Sequence, residues 1–112
     1  MKLVIAIIRP AKLDDVVDAL AGMGADKLTV TEVLGIGRAL AARPTRQDDP
    51  TPAAPTPKIE IEVAVSDELL PQLLTTLRAA ALTGKPGDGK IFVTDLQKTV
   101  RIRNGRAGDQ VL

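Results

Sequence analysis

The chain has 112 residues and a formal net charge of +1, without cysteine or histidine, and Phe92 is its only aromatic residue. This composition excludes a disulfide scaffold, a thiol nucleophile and a histidine base. The weak net charge and the lack of aromatic side chains argue against nucleic-acid partners and against attraction to anionic membranes. We therefore expect one cytoplasmic domain over residues 1–112, with no nucleic-acid partner and no direct membrane insertion.

The first third of the chain alternates between strand and helix patterns. A continuous apolar run from Leu3 to Ile8 predicts a buried strand. Apolar residues then recur at helical spacing over 13–23, and the glycines at 22 and 24 predict the end of that helix. The β-branched segment 28–34 predicts a second strand.

A proline-rich segment over residues 38–57 interrupts these patterns. Five of the eight prolines of the chain lie there, and no apolar periodicity continues past Leu40. Structureless segments of this length in small domains are usually functional or disordered. Because the flanking segments are too short to be two domains, we expect a mobile arm between two strands rather than a linker.

The second half repeats the strand and helix order of the first. Strict alternation over 58–65 predicts a half-exposed strand, and Ser66 is a candidate helix cap. A helical pattern follows, although Pro71 either removes a first-turn hydrogen bond or delays the start of the helix. The segment 90–96 predicts the last strand.

The resulting order of elements is βαββαβ, which predicts an α+β, ferredoxin-like fold. We expect a four-stranded antiparallel sheet with two helices on one face. The other face needs either polar residues, for which Glu60 and Glu62 are candidates, or the cover that an oligomer would provide.

A glycine- and lysine-rich loop, residues 83–92, precedes the last predicted strand. Glycine lets backbone N–H groups converge on one point, and lysine adds positive charge, so the loop is a candidate phosphate cradle. Gly84, Gly89 and Lys90 fit the spacing of a P-loop, but Ile91 stands where that motif needs Ser or Thr. The loop also follows a helix and opens a strand, the reverse of a P-loop. A flexible turn is the alternative interpretation.

Other polar groups were weighed as sites. Arg101 and Arg103 are two residues apart, so their side chains point the same way in an extended segment. Two guanidinium groups directed at one point would suit the binding of a phosphate or a carboxylate. The aspartates at 14, 15 and 18 are typical of a solvated helix face, and Glu60 and Glu62 of a polar strand face. We therefore expect neither a metal site nor catalytic residues, and no acylphosphatase-like chemistry, since no glycine-rich loop adjoins the first strand.

The chain resembles the PII signal-transduction family along nearly its whole length. The segments that carry the resemblance are 6–10, 12–16, 29–33 with Gly35, Gly37 and Arg38, 57–62, 83–85 with 87–93, and 101–103. The match over 83–93 is the most specific of these. PII proteins are ferredoxin-like homotrimers that bind ATP or ADP between subunits and dock on target proteins through a long T-loop.

The resemblance implies a nucleotide cleft without enzymatic turnover. Its residues would be Thr29, Gly35, Gly37, Arg38, Glu62, Thr83, Gly87, Asp88, Gly89, Lys90, Arg101 and Arg103. Within this set, residues 83–90 form the B-loop that holds the phosphates, and the two C-terminal arginines, in segment 100–112, reach it from a neighbouring subunit. Lys58 matches the lysine that pairs with 2-oxoglutarate, and residues 38–57 occupy the T-loop.

The T-loop departs from the family pattern. Ala39 stands where familiar members carry a glutamine that helps ligate Mg²⁺ with ATP and 2-oxoglutarate, and an alanine supplies no such oxygen. Thr51 stands where many bacterial members have a modifiable tyrosine, and the chain has no tyrosine.

Three interpretations of purpose follow. We expect a divergent sensor of ATP, ADP or AMP, linked to bicarbonate or carboxysome metabolism, whose T-loop controls a transporter or metabolic enzyme. A conventional nitrogen regulator that senses ATP and 2-oxoglutarate is the alternative. A small ATP-hydrolysing enzyme is the alternative of another class.

Overall fold

The computed structural model describes residues 1–37 and 54–112. Its elements are β1 (Lys2–Ile8), α1 (Leu13–Gly22), β2 (Thr29–Gly35), β3 (Thr56–Val65), α2 (Leu70–Ala81) and β4 (Lys90–Asp95), with short 3₁₀ turns at Pro10–Lys12 and Asp109–Val111. The predicted βαββαβ order is thus confirmed. No helix in these residues is long and apolar enough to cross a membrane.

The four strands form one antiparallel sheet in the order β2-β3-β1-β4. In β1 and β3, alternate residues are buried, as the period-2 pattern of β3 predicts. These residues pack with the apolar sides of α1 and α2 in one core, in which Ile8, Leu20, Ile61, Leu73 and Leu77 are among the largest fully buried side chains. Both helices therefore cover one face of the sheet, and the predicted ferredoxin-like α+β fold is confirmed.

The opposite face of the sheet carries no helix. Leu3, Ile5 and Ile7 alternate with the buried residues of β1 and are only partly buried. Phe92 lies opposite Ile5 across the β1–β4 pair and is 52% exposed. Glu60 and Glu62 also lie on this face, which we call the open face, so it combines a partly exposed apolar centre with acidic residues.

Several predicted strand boundaries differ from the structure by one or two residues. β3 begins at Thr56, so the last two residues of the segment 38–57 belong to a strand because they pair with the end of β2. Pro71 falls within the first turn of α2, where its missing N–H leaves no helical hydrogen bond unmade. The Ser66 hydroxyl accepts a hydrogen bond from the Leu69 amide (3.3 Å), so it caps the turn before α2 and not α2 itself.

The arginine-containing segment near the C-terminus is not extended, contrary to the prediction. Residues 102–104 form a turn, in which the Gly105 amide donates to the carbonyl of Arg101 (2.8 Å) and the Arg101 amide donates to the carbonyl of Arg106 (2.8 Å). The spacing of two between Arg101 and Arg103 therefore does not place their side chains on one face, because that rule holds only for extended backbone.

Candidate functional site

The predicted phosphate loop joins α2 to β4 at one end of the sheet, and it is built around one carboxylate. Asp88 Oδ2 accepts hydrogen bonds from the backbone amides of Thr83 (3.0 Å) and Gly84 (2.8 Å). Asp88 Oδ1 accepts from the Thr83 hydroxyl and from Arg9 Nε (2.9 Å). The four donors match the hydrogen-bonding capacity of a carboxylate, so Asp88 fixes the loop from inside.

These contacts shift the ionisation of Asp88. Its pKa lies well below the ordinary value, mainly because the Thr83 hydroxyl donates to the charged form, with further contributions from Arg9 and from the Thr83 and Gly84 amides. Asp88 is therefore ionised throughout the neutral range, and its negative charge is balanced within the loop by Arg9.

A row of charged side chains crosses the sheet at this end. Continuing the register of β1 by one residue past Ile8 places Arg9 opposite Lys58 of β3. Both side chains lie on the open face, and Arg9 reaches Asp88 of the loop. Two cations therefore stand side by side next to the loop.

Both cations of this row hold backbone carbonyls of the loop. Arg9 Nη2 donates to the carbonyl of Pro86 (2.7 Å), and Lys58 Nζ donates to the carbonyl of Gly87. The Lys58 side chain passes over Gly35 of β2, where a Cβ would lie 3.1 Å from Lys58 Cγ. The absence of a side chain at position 35 therefore leaves the space that the lysine stem uses.

Gly89 is required by a close approach of two chain segments. Its φ is +96°, and a Cβ at this position would lie 1.7 Å from the carbonyl oxygen of Ile7. Gly89 lets the loop meet β1 directly before β4 begins at Lys90. The side chain of Lys90 is exposed, and it lies on the open face beside the loop.

The structure brings together about half of the residues expected in a nucleotide cleft. Gly35, Lys58, Thr83 and residues 87–90 lie at this end of the sheet, whereas Thr29 and Glu62 face each other in the β2–β3 pair. That pair lies about 13 Å along β3 from Lys58, at the usual rise per residue. Gly37 follows β2, and Arg38, Ala39 and Thr51 lie outside the described residues.

Arg101 and Arg103 lie near the other end of the sheet. The chain leaves β4 beside Met1, where the Leu96 amide donates to the Met1 carbonyl (3.1 Å) and the Thr99 hydroxyl contacts Met1 Sδ (3.5 Å). β1 separates this end from the loop by roughly 20 Å. One chain therefore does not bring the arginine pair to its own loop.

Arg9 is the site residue that the sequence analysis did not select. The only signal was a cation and a proline at the end of a buried apolar run, Arg9-Pro10. Its partner is 79 residues away along the chain. Only the register between β1 and β4 joins the two, and that register is not readable from residue types.

Comparisons with known proteins show the family of the chain. A family model described as "Nitrogen regulatory protein P-II" matches residues 1–106. "Nitrogen regulatory protein GlnK" of Escherichia coli (strain K12) is 45% identical over 112 residues, all of both chains. "Nitrogen regulatory protein P-II" of Rhizobium etli and that of Klebsiella oxytoca are 43% and 42% identical over the same full lengths. Members of this family are regulatory proteins, and the chain belongs to the P-II family.

Proposed function

We propose that this protein is a regulatory sensor of adenine nucleotides that has no enzymatic turnover. The observation that carries the proposal is the preformed loop at residues 83–90, with three glycines at positive φ and the exposed Lys90 beside it. Loops of this kind present backbone N–H groups to anionic oxygens, and a neighbouring lysine adds a point charge. A nucleotide polyphosphate is the ligand that this chemistry and the family membership favour.

The proposal includes a homotrimer, in which each cleft is shared between two chains. Two observations support it. The open face has partly exposed apolar residues that a second copy would cover, and the arginines at 101 and 103 follow β4 at the end of the sheet opposite the loop. A neighbouring subunit would supply them, together with the wall formed by Thr29 and Glu62.

The regulated process that we propose is nitrogen metabolism. The relatives are named nitrogen regulatory proteins, and they match over their full length. In such a regulator, the segment 38–57 would dock on a target protein, with a nucleotide and a carboxylate effector at Lys58 biasing its conformation. A ligand exerts this control only if it binds one conformation better than another.

A second candidate is carbon metabolism, with bicarbonate as the second effector. The observation that favours it is Ala39, which lacks the side-chain oxygen that the resemblance associates with Mg²⁺ and 2-oxoglutarate. Within the structure, the ammonium of Lys58 is bonded to the carbonyl of Gly87. An anionic effector of either kind would compete with that carbonyl for Lys58.

Calorimetric titration tests nucleotide binding and effector choice together. The protein is titrated with ATP, ADP and AMP, with and without Mg²⁺, in the presence of 2-oxoglutarate, bicarbonate or neither. An increase in the affinity for Mg-ATP when 2-oxoglutarate is present supports the nitrogen sensor. A change in nucleotide affinity with bicarbonate alone supports the second candidate. Failure of the wild type to bind any adenine nucleotide contradicts the proposal.

The Lys90→Ala variant separates a sensor from an ATP-hydrolysing enzyme. We expect affinity for ATP to fall about 10- to 150-fold, because one charge-assisted contact contributes roughly 1.5–3 kcal/mol. Lys98→Ala, which removes an exposed lysine outside the loop, is the matched control. Steady release of phosphate by the wild type, abolished in Lys90→Ala, would show that the protein is an enzyme instead.

A further inference from the structure

The orientation of the loop amides of Gly87 and Asp88 follows from the hydrogen bonds that the carbonyls of the same peptide units accept. A trans peptide unit directs its C=O and its N–H to opposite sides. The carbonyl of Pro86 points to Arg9, and that of Gly87 points to Lys58. The N–H groups of the same two peptide units, those of Gly87 and Asp88, therefore each point away from the cation that holds the carbonyl of that unit. Within the described residues, neither amide has a hydrogen-bond partner.

The Arg9 side chain holds this loop at two separate points. Its Nη2 donates to the carbonyl of Pro86, and its Nε donates to the carboxylate of Asp88. The Arg9 side chain is only 29% exposed and that of Asp88 22%, so the pair is partly shielded from water. Charge-assisted hydrogen bonds of this kind are stronger than neutral ones, and the planar guanidinium also fixes direction.

We propose that Arg9 is a positioning residue for the phosphate loop, acting through Asp88 and the carbonyl of Pro86. It turns the amide of Gly87 toward the ligand before the ligand arrives, as Lys58 does for the amide of Asp88. It also neutralises a carboxylate that would otherwise repel phosphate oxygens. Asp88 accordingly organises the loop instead of contacting the nucleotide, since its four acceptor positions are already in use.

The test compares Arg9→Gln, Arg9→Lys, Asp88→Asn and the double variant Arg9→Gln/Asp88→Asn. Lys98→Gln, which removes an exposed cation at the opposite end of the sheet, is the control. The first measurement is amide hydrogen exchange by NMR in the ligand-free protein. We expect the Thr83 and Gly84 amides, both bonded to Asp88, to exchange about tenfold faster in Arg9→Gln, with the thermal midpoint nearly unchanged.

The second measurement is ATP affinity by calorimetry. Arg9→Gln should bind ATP about tenfold more weakly, and Arg9→Lys should recover little of the loss, because one ammonium cannot reach both acceptors in the guanidinium geometry. If Arg9 acts through Asp88, the double variant should lose less than the product of the two single losses. Lys98→Gln should stay within twofold of wild type.

The ATP-affinity measurement rests on the proposed function, whereas the amide-exchange measurement does not. The outcomes therefore separate this inference from the proposed function. The inference is overturned if Arg9→Gln binds ATP more weakly while exchange at Thr83 and Gly84 is unchanged, and if the affinity losses multiply in the double variant. That result would mean that Arg9 contacts the phosphates directly. Unchanged affinity in Arg9→Gln would overturn it as well. If the wild type binds no adenine nucleotide, the proposed function fails, whereas the exchange rates still decide whether Arg9 positions the loop.

Discussion

At the scale of single residues, the conformation of the loop depends on two of its own residues. One is Asp88, whose carboxylate gathers the backbone of Thr83 and Gly84. The other is Gly89, where the backbone passes so close to Ile7 that a side chain has no space. The phosphate binding that we propose for the loop would therefore depend on residues that hold its backbone as well as on residues that face a ligand.

The first prediction at this scale compares two glycines of the same loop. Gly84 and Gly89 both have positive φ, but a Cβ at Gly84 would meet nothing within 4 Å, whereas at Gly89 it would meet the Ile7 carbonyl. We expect Gly84→Ala to lower the free energy of unfolding by about 1–2 kcal/mol, the cost of a left-handed alanine. Gly89→Ala should cost about 3 kcal/mol or more, because the backbone must also shift. Equal losses in urea unfolding would contradict the steric argument.

Acidic pH tests the role of the carboxylate at the same scale. Because the folded-state pKa of Asp88 is lowered from an ordinary 3.8, its contribution to loop order is complete above that value. The contribution is lost as the pH falls below about 4 toward the folded-state pKa. We expect exchange at Thr83 and Gly84, corrected for the intrinsic pH dependence, to accelerate in this range, and Asp88→Asn to abolish that extra acceleration. A pH-independent corrected rate in the wild type would contradict it.

At the scale of elements, α2 places the loop by its packing against the sheet. Leu73 and Leu77 are fully buried in the core shared with β1 and β3. The helix ends at Ala81, and the loop begins two residues later, so the position of the loop follows from the depth at which α2 packs.

Truncation of the buried side of α2 tests this dependence. Leu77→Ala should lower the free energy of unfolding by about 2–5 kcal/mol, because it leaves a cavity in the core. Leu82→Ala removes a side chain that is 44% exposed just after the helix, and its effect should be about 0.5 kcal/mol or less. Chemical denaturation of both variants measures the difference, and similar losses would contradict the placement of α2.

At the scale of the whole molecule, the sheet has one covered face and one open face. The open face carries the loop contacts of Arg9 and Lys58 as well as the partly exposed Phe92. Burial of this face between copies would remove apolar area from water and bring the C-terminal arginines of one chain to the loop of another. The proposed assembly and the proposed ligand site are therefore linked by one surface.

The oligomeric state is predicted at this scale. Light scattering should give about 35 kDa, three times the 11.8 kDa of one chain. Phe92→Glu places a charge on the open face and should lower the mass toward that of a monomer. Val30→Glu is the matched control, because Val30 is similarly exposed (43%) but lies on the opposite face of the sheet, across from Ile61. A monomeric wild type would contradict the shared cleft.

Ion pairs at the far end of the sheet give a prediction for stability against pH. The Met1 ammonium and then Lys2 lower the pKa of Asp67, and Lys2 lowers the pKa of Asp95. Both carboxylates therefore stabilise the fold above their ordinary pKa of 3.8, and this contribution is lost as the pH falls through their lowered values. The thermal midpoint should fall below pH 4, and less steeply in Lys2→Gln than in the control Lys98→Gln. Parallel pH profiles would contradict it.

The sequence by itself determined the class of fold and the chemistry of the loop. Period-2 and period-3.6 apolar patterns are local signals, so the order βαββαβ follows from them, with boundary errors where pairing extends a strand, as at Thr56. The glycines and lysines within 83–90 are likewise a local signal, because their residue types alone indicate a candidate phosphate cradle. The prediction of an extended segment at 101–103 was wrong. Backbone hydrogen bonds between Arg101 and both Gly105 and Arg106, and not residue spacing, set the shape of this segment.

Only the tertiary structure decided which distant residues meet. Arg9, Lys58 and Asp88 come from three separate segments, and they meet because antiparallel pairing places β3, β1 and β4 side by side. A shift of one residue in the β1–β3 pairing would put Arg9 and Lys58 on opposite faces of the sheet. The chain leaves β4 beside Met1, so Arg101 and Arg103 follow at the end of the sheet opposite the loop. Register depends on the packing of the whole core, so no local pattern contains it.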